Sequence, residues 1–216
     1  MPSSTASKYY APSSSITILI LVFLLLFVAP KSVTSMTTPN HELIYFPIPA
    51  RAGAARLAFA KAGIPFTDTR LDFSTEYAEA KKAGKYPTGL PILKVGDKEY
   101  LQSTAILRYA GKLSGLYPTD DHLTAMEIDQ VIAITEDCNN VPNGNGTEED
   151  KKAKREEYRD GKMKVFCSQI EDVIKRNGDG PFILGKEPTI ADFHLKYLLI
   201  RRVEMGIVDH IPKVRC

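Results

Sequence analysis

The sequence predicts two parts in succession, a small α/β unit and then an all-helical one. Three observations predict it. Short β-type runs alternate with helical stretches between residues 41 and 115, no strand pattern follows Pro118, and beyond that point apolar residues recur at helical spacing.

The elements can be justified in order. Leu43-Ile44-Tyr45-Phe46 is a short β-type run, stopped by Pro47 and Pro49. Ala52 to Ala62 is Ala-rich and helix-favouring, closed by Gly63 with Pro65 beyond it. Pro65 to Phe73 reads as a second strand, and Ser74 to Ala83 as a polar helix ended by Gly84. Ile92 to Val95 and Lys98 to Leu101 flank Gly96-Asp97, a two-residue hairpin turn. Ser103 to Leu113 is a helix with Ile106, Leu107, Ala110 and Leu113 on its apolar face. The order β-α-β-α-β-β-α suggests a thioredoxin-type α/β unit.

Past a linker at Tyr117 to Asp121, Leu123 to Cys138 is helical, with apolar Ala125, Ile128 and Ile132. Glu148 to Arg176 is one long charged helix whose apolar residues lie in its second half, so its mixed charges read as a solvated face. Thr189-Ile190-Ala191-Asp192 opens the next helix as a capping box, with Asp192 structural. The expected division is therefore 1–35 as a leader, 41–117 as the thioredoxin-like domain and 121–216 as an all-α C-terminal domain.

Composition narrows the function. The 216 residues are 44% hydrophobic and 25% charged, which excludes a disordered or fibrous chain. Twenty-eight basic against 26 acidic residues leave no excess for phosphate backbones, so nucleic acid is not an expected partner. Cys138, Cys167 and Cys216 form neither a disulfide framework nor a paired-cysteine zinc site, and no metal is expected. Ile16 to Ala29 is an unbroken apolar run, shorter than the roughly 20 residues a spanning helix needs. It has the length of a signal-peptide core, which predicts the secretory pathway; a membrane anchor, or a cytoplasmic protein starting at Met36, are the alternatives. Asn145-Gly146-Thr147 is a glycosylation sequon in the secretory case.

Four motifs in order carry a family resemblance: Tyr45-Phe46 ahead of Arg51; Leu90-Pro91-Ile92-Leu93; Gln102-Ser103-Thr104-Ala105-Ile106-Leu107-Arg108-Tyr109; and Thr189-Ile190-Ala191-Asp192. Together, from about residue 42 to 210, they resemble a glutathione S-transferase, and the tyrosine-phenylalanine pair is most similar to the sigma class. The resemblance implies glutathione as co-substrate, a small apolar electrophile, a detoxifying role and a homodimer. Three departures stand against the sigma pattern: the chain has no Trp, Thr88-Gly89 shortens the approach to Leu90-Pro91, and Cys216 falls where the family continues for one or two helices. The helical domain is accordingly expected to be truncated.

The resemblance implies roles that chemistry supports. A free thiol has a pKa of about 8.5, and lowering it two units needs about 2.7 kcal/mol of preference for thiolate. A charge-assisted hydrogen bond from a neutral hydroxyl can supply about 1.5–3 kcal/mol of that. Tyr45 stays protonated at neutral pH and can donate it; Arg51 is implied near the thiol. Leu90, before a Pro91 that the family holds cis, is implied to meet the cysteinyl backbone. Gln102 and Ser103 open a helix, where free N–H groups and the positive helix end hold a carboxylate; the resemblance assigns them the γ-glutamyl group, and Ser103 is also expected to cap the helix. Lys82 is implied at the glycyl carboxylate, with Lys81 or Lys85 as alternatives after a small shift, and Asp137 at the γ-glutamyl amine across a dimer interface.

Rival activities were separable in part. Thiol exchange needs a cysteine near the first helix, and residues 1–137 contain none. A glutathione-dependent isomerase of prostanoid-like substrates would use the same thiolate, and a non-catalytic binding or structural protein could keep the same scaffold.

Overall fold

A computed structural model describes residues 40–139, 146–178 and 180–204. The apolar run at 16–29, Asn145 of the sequon and Cys216 lie outside the described residues. Among the described residues, no helix is long and apolar enough to cross a membrane.

The first part is a four-stranded mixed sheet in the order β2-β1-β3-β4. β1 (His41–Tyr45) pairs in parallel with β2 (Phe66–Arg70) and antiparallel with β3 (Ile92–Val95), which forms the hairpin with β4 (Lys98–Tyr100). Leu43, Ile44, Ile92 and Leu93 are buried because β1 and β3 occupy the sheet centre, and the edge strands carry the polar residues. Three helices complete this part: α1 (Ala50–Lys61), α2 (Glu76–Lys82) and α3 (Ser103–Ser114).

The second part holds α4 (His122–Asp137), α5 (Glu148–Tyr158), α6 (Lys164–Arg176) and α7 (Ile190–Glu204). The stretch expected as one helix from Glu148 to Arg176 is interrupted in register: a π-helical turn at Arg159–Met163 joins α5 to α6. The inserted residue turns Tyr158 and Met163 together into a small cluster with Cys138, which the unbroken period would not do. Neither Cys138 nor Cys167 is in a disulfide.

One apolar core runs through both parts, from Leu43 and Phe59 to Ile132, Ile183 and Leu195. Its seam is made by small residues. A Cβ on Gly53 of α1 would sit 3.0 Å from the Tyr197 ring of α7, and one on Gly111 of α3 would sit 2.7 Å from Ile190 Cγ2. The Ile190 contact also explains a departure from the expected α3 face. Gly111 is buried under α7, whereas Leu113, expected inside, is 44% exposed on the far side of the last turn.

Tyr117, at the head of the connection, is buried and donates to Asp129 Oδ2 on α4 at 3.1 Å; Arg108 Nε donates to the same carboxylate at 2.7 Å. Asp192 behaves as the capping box predicts. It is buried and accepts from the Ile183 and Thr189 amides, both at 2.8 Å, while Thr189 Oγ1 accepts from the Ala191 amide.

Candidate active site

The site is built at the end of the central strand. Tyr45 is the last residue of β1 and its side chain is buried. Continuing the β1–β3 register by one residue sets Pro91 opposite Tyr45, and continuing the β3–β4 register by two residues, just past the end of β4, sets Gln102 opposite Pro91. Tyr45, Pro91 and Gln102 therefore form one row across the sheet. The Leu90–Pro91 peptide bond is cis, as the resemblance implied.

At the end of that row α3 begins. Gln102 precedes it with φ of 71°, a left-handed conformation that a residue with a Cβ adopts at a cost. Ser103 is the first residue of the helix and not its cap, a shift of one from the sequence expectation; Gln102 takes the capping position and provides no side-chain cap. The first turn of α3 thus presents backbone donors, at the positive end of the helix, that the capping side chain leaves for an anion.

The loop from Tyr45 into α1 is fixed by a residue that sequence reasoning missed. Arg56 donates through Nη1 to the Ile48 carbonyl at 2.7 Å and through Nη2 to the Phe46 carbonyl at 3.1 Å. Its Nε donates to Asp68 Oδ1 at 2.9 Å, which anchors the guanidinium to β2. The guanidinium carbon lies 5.8 Å from the centre of the Tyr45 ring, within cation–π range. An arginine within the Ala-rich stretch from Ala52 to Ala62 was its local signal. Phe46 leads an aromatic series beside the same loop, edge-on to Phe73 at 5.3 Å and to Tyr77 at 5.0 Å, with Tyr77 stacked on Tyr86.

Arg51, the second residue of α1, extends from the site towards the helical half, where Nη2 lies 3.8 Å from Glu136 Oε2. Glu136 Oε1 is in turn 3.0 Å from Nε2 of the buried His194 on α7. Burial pushes the Glu136 carboxyl up, but the adjacent His194 imidazole, the Arg51 charge and Asn139 outweigh it and hold it below its ordinary value. Neither Glu136 nor His194 was foreseen, since each meets its partner on a different helix. Lys82 is the exposed last residue of α2, and Asp137 the exposed last residue of α4. The structure brings Tyr45, Leu90, Pro91, Gln102 and Ser103 to one edge; among the described residues no hydrogen bond or ion pair joins Lys82 or Asp137 to that edge. Among the described residues no group of three or more acidic, histidine or cysteine side chains is arranged to hold a metal.

A β-α-β-α-β-β-α sheet unit with a cis-proline edge, packed on helices through one core, is a thioredoxin-like domain followed by an all-α domain. Comparison with known proteins agrees. The C-terminal domain profile of the glutathione S-transferases matches residues 139–215. The chain is 31% identical to the chicken hematopoietic prostaglandin D synthase over 157 residues, covering 72% of this chain and 76% of that protein. It is 29% identical to human glutathione S-transferase P over 179 residues, 81% of this chain and 83% of that one. Among solved structures, prostaglandin synthase D of Nilaparvata lugens superposes with a TM-score of 0.69 at 24% identity, over 82% of this chain and 88% of that one. The chain belongs to the glutathione S-transferase family.

Proposed function

We propose that the protein transfers the glutathione thiolate to a small apolar electrophile, with Tyr45 as the thiol activator. The observation that carries the reading is the row Tyr45–Pro91–Gln102, ending at the uncapped start of α3. A tripeptide lying along that row would set its thiol at Tyr45, its backbone against Leu90 and Pro91, and its γ-glutamyl carboxylate on the Gln102–Ser103 turn. Each contact suits the group it meets: a neutral hydroxyl for a thiolate, a strand edge for an amide, a helix start for a carboxylate.

Arg51 adds a positive charge on the thiol side, and Lys82 would receive the glycyl carboxylate. Residues 41–117 would hold glutathione, and the helical part from residue 121 would supply the electrophile wall. Asp137 has a role only in a homodimer, where it would reach the neighbour's γ-glutamyl amine. The Tyr45-Phe46 pair supports a sigma-like assignment within the family. The apolar run at 16–29 supports entry into the secretory pathway, which loss of the first 35 residues from secreted protein would establish.

The test is conjugation of glutathione to chlorodinitrobenzene by residues 36–216 and by Tyr45→Phe, both checked for folding by circular dichroism. A loss of about tenfold or more in kcat/KM, roughly 1.4 kcal/mol, is expected for the variant. Equal rates would keep the transferase and discard Tyr45 as activator; a folded wild-type protein without activity would discard the transferase.

A second reading has its own support. The chicken relative is named a prostaglandin D synthase, so isomerisation of a prostanoid-like endoperoxide could use the same thiolate. Glutathione-dependent conversion of an endoperoxide by a protein that leaves chlorodinitrobenzene untouched would favour it.

A further inference from the structure

The helical half contributes a polar side chain that packing alone does not account for. His194 lies on the core-facing stripe of α7, beside Ala191 and Leu195, and is only 3% exposed. A leucine at that position would fill an apolar site. Instead the imidazole Nε2 meets Glu136 Oε1 at 3.0 Å, and the other oxygen of that carboxylate faces Arg51 Nη2 at 3.8 Å. Three helices, α1, α4 and α7, thus contribute one residue each to a chain of contacts. It runs from the core to the arginine six residues beyond Tyr45.

We propose that His194 is a positioning residue: it orients Glu136, and Glu136 holds the Arg51 guanidinium beside the thiol site. The argument is one of lost freedom. The Arg51 side chain is 49% exposed, and a free arginine spreads its charge over many rotamers. Glu136 can restrain it only if Glu136 is itself restrained. A carboxylate at the last turn of α4 has its own rotamers, and His194, fixed by the packing of α7, removes them. The placement of Glu136 against both partners is consistent with its lowered ionisation. The contacts lead from His194 to Arg51 by way of Glu136, so His194 acts through the carboxylate.

The inference rests on the thiol-activation reading given above, and the experiment separates the two. The ionisation of bound glutathione would be followed by thiolate ultraviolet absorbance against pH, with glutathione affinity measured alongside. The proteins are wild type, Tyr45→Phe, Arg51→Ala, His194→Leu, His194→Gln and the Arg51→Ala/His194→Leu double variant. His194→Leu is expected to raise the midpoint by about half to one pH unit with glutathione affinity changed less than threefold. His194→Gln, which keeps a side-chain N–H, should recover most of the shift. In the Arg51→Ala background, His194→Leu should add nothing.

A folded His194→Leu with the wild-type midpoint overturns the proposal. So does an equal shift with and without Arg51, because the effect would then be packing. Should His194→Leu not fold, Glu136→Gln cuts the same chain at a half-buried position, and the same criteria apply to it. A wild-type midpoint no lower than that of free glutathione, or unchanged in Tyr45→Phe, removes the activation reading and the relay with it.

Discussion

Helices begin differently in the two halves of this molecule. In the helical half the starts that follow a loop are closed by side chains, while α6 runs on from the π turn without a cap. Asp121 accepts from the Thr124 amide at 3.0 Å, Thr147 and Asp150 cap reciprocally, and Thr189 with Asp192 closes α7. In the sheet half, α1 and α3 have no side-chain cap, and their starts are preceded by Pro49 and by Gln102. Backbone strain follows the same division: among the described residues, the non-glycine positions with positive φ are Ala50, Tyr86 and Gln102, all in the sheet half. Where a cap is present, a helix start is spent on stability; where it is missing, its donors remain for a ligand. The difference teaches where to look for binding before any ligand is in view.

The comparison can be broken most severely at Asp192. Replacing it with Ala removes acceptors from the Ile183 and Thr189 amides in a buried place and should cost about 3 kcal/mol. Urea unfolding measures that, and folded Asp192→Ala should keep its kcat/KM. Next is Arg56→Lys, which cannot reproduce the fork to Ile48, Phe46 and Asp68. A loss of about 2 kcal/mol is expected, accompanied by reduced kcat because the loop after Tyr45 loosens.

Gln102→Gly should act in the opposite sense on stability. Relief of the left-handed conformation outweighs the added chain entropy by about 0.5 kcal/mol, while glutathione binding weakens; calorimetry of both properties tests the trade. The smallest effect concerns Asp72, before α2, whose carboxylate accepts from the hydroxyls and amides of Ser74 and Thr75. The Ser74 and Thr75 hydroxyls, with their amides, lower its pKa from 3.8 to about 2. A depressed acid lends its support above its ordinary value and loses it as pH falls through the folded one. The turn should therefore hold at pH 4 and loosen towards pH 2, as an NMR titration of the Asp72 carboxyl would show.

The local signals were the legible ones. The Gly96-Asp97 turn, the αL end of α3 at Gly115 and the Thr189–Asp192 box each act within a few residues, so the sequence displays them. The long helix from Glu148 was legible as helix, but its π turn was not, because packing around Cys138 decides it. Tyr45, Pro91 and Gln102 were found through family resemblance, and only the sheet register sets them in one row. Arg56, Glu136 and His194 escaped because their partners lie on other elements, and a single charged residue in a helix looks like any solvated one.

The Gly53–Tyr197 contact constrains how this architecture can be recombined. The helix that carries Arg51 approaches α7 so closely that its seam tolerates no added methyl without displacement. An exchange of C-terminal parts between related chains would have to bring a ring of matching shape to that glycine. Grafts chosen by the sheet half alone would displace α7 from its seat on α1, so the two halves must be inherited as a fitted pair.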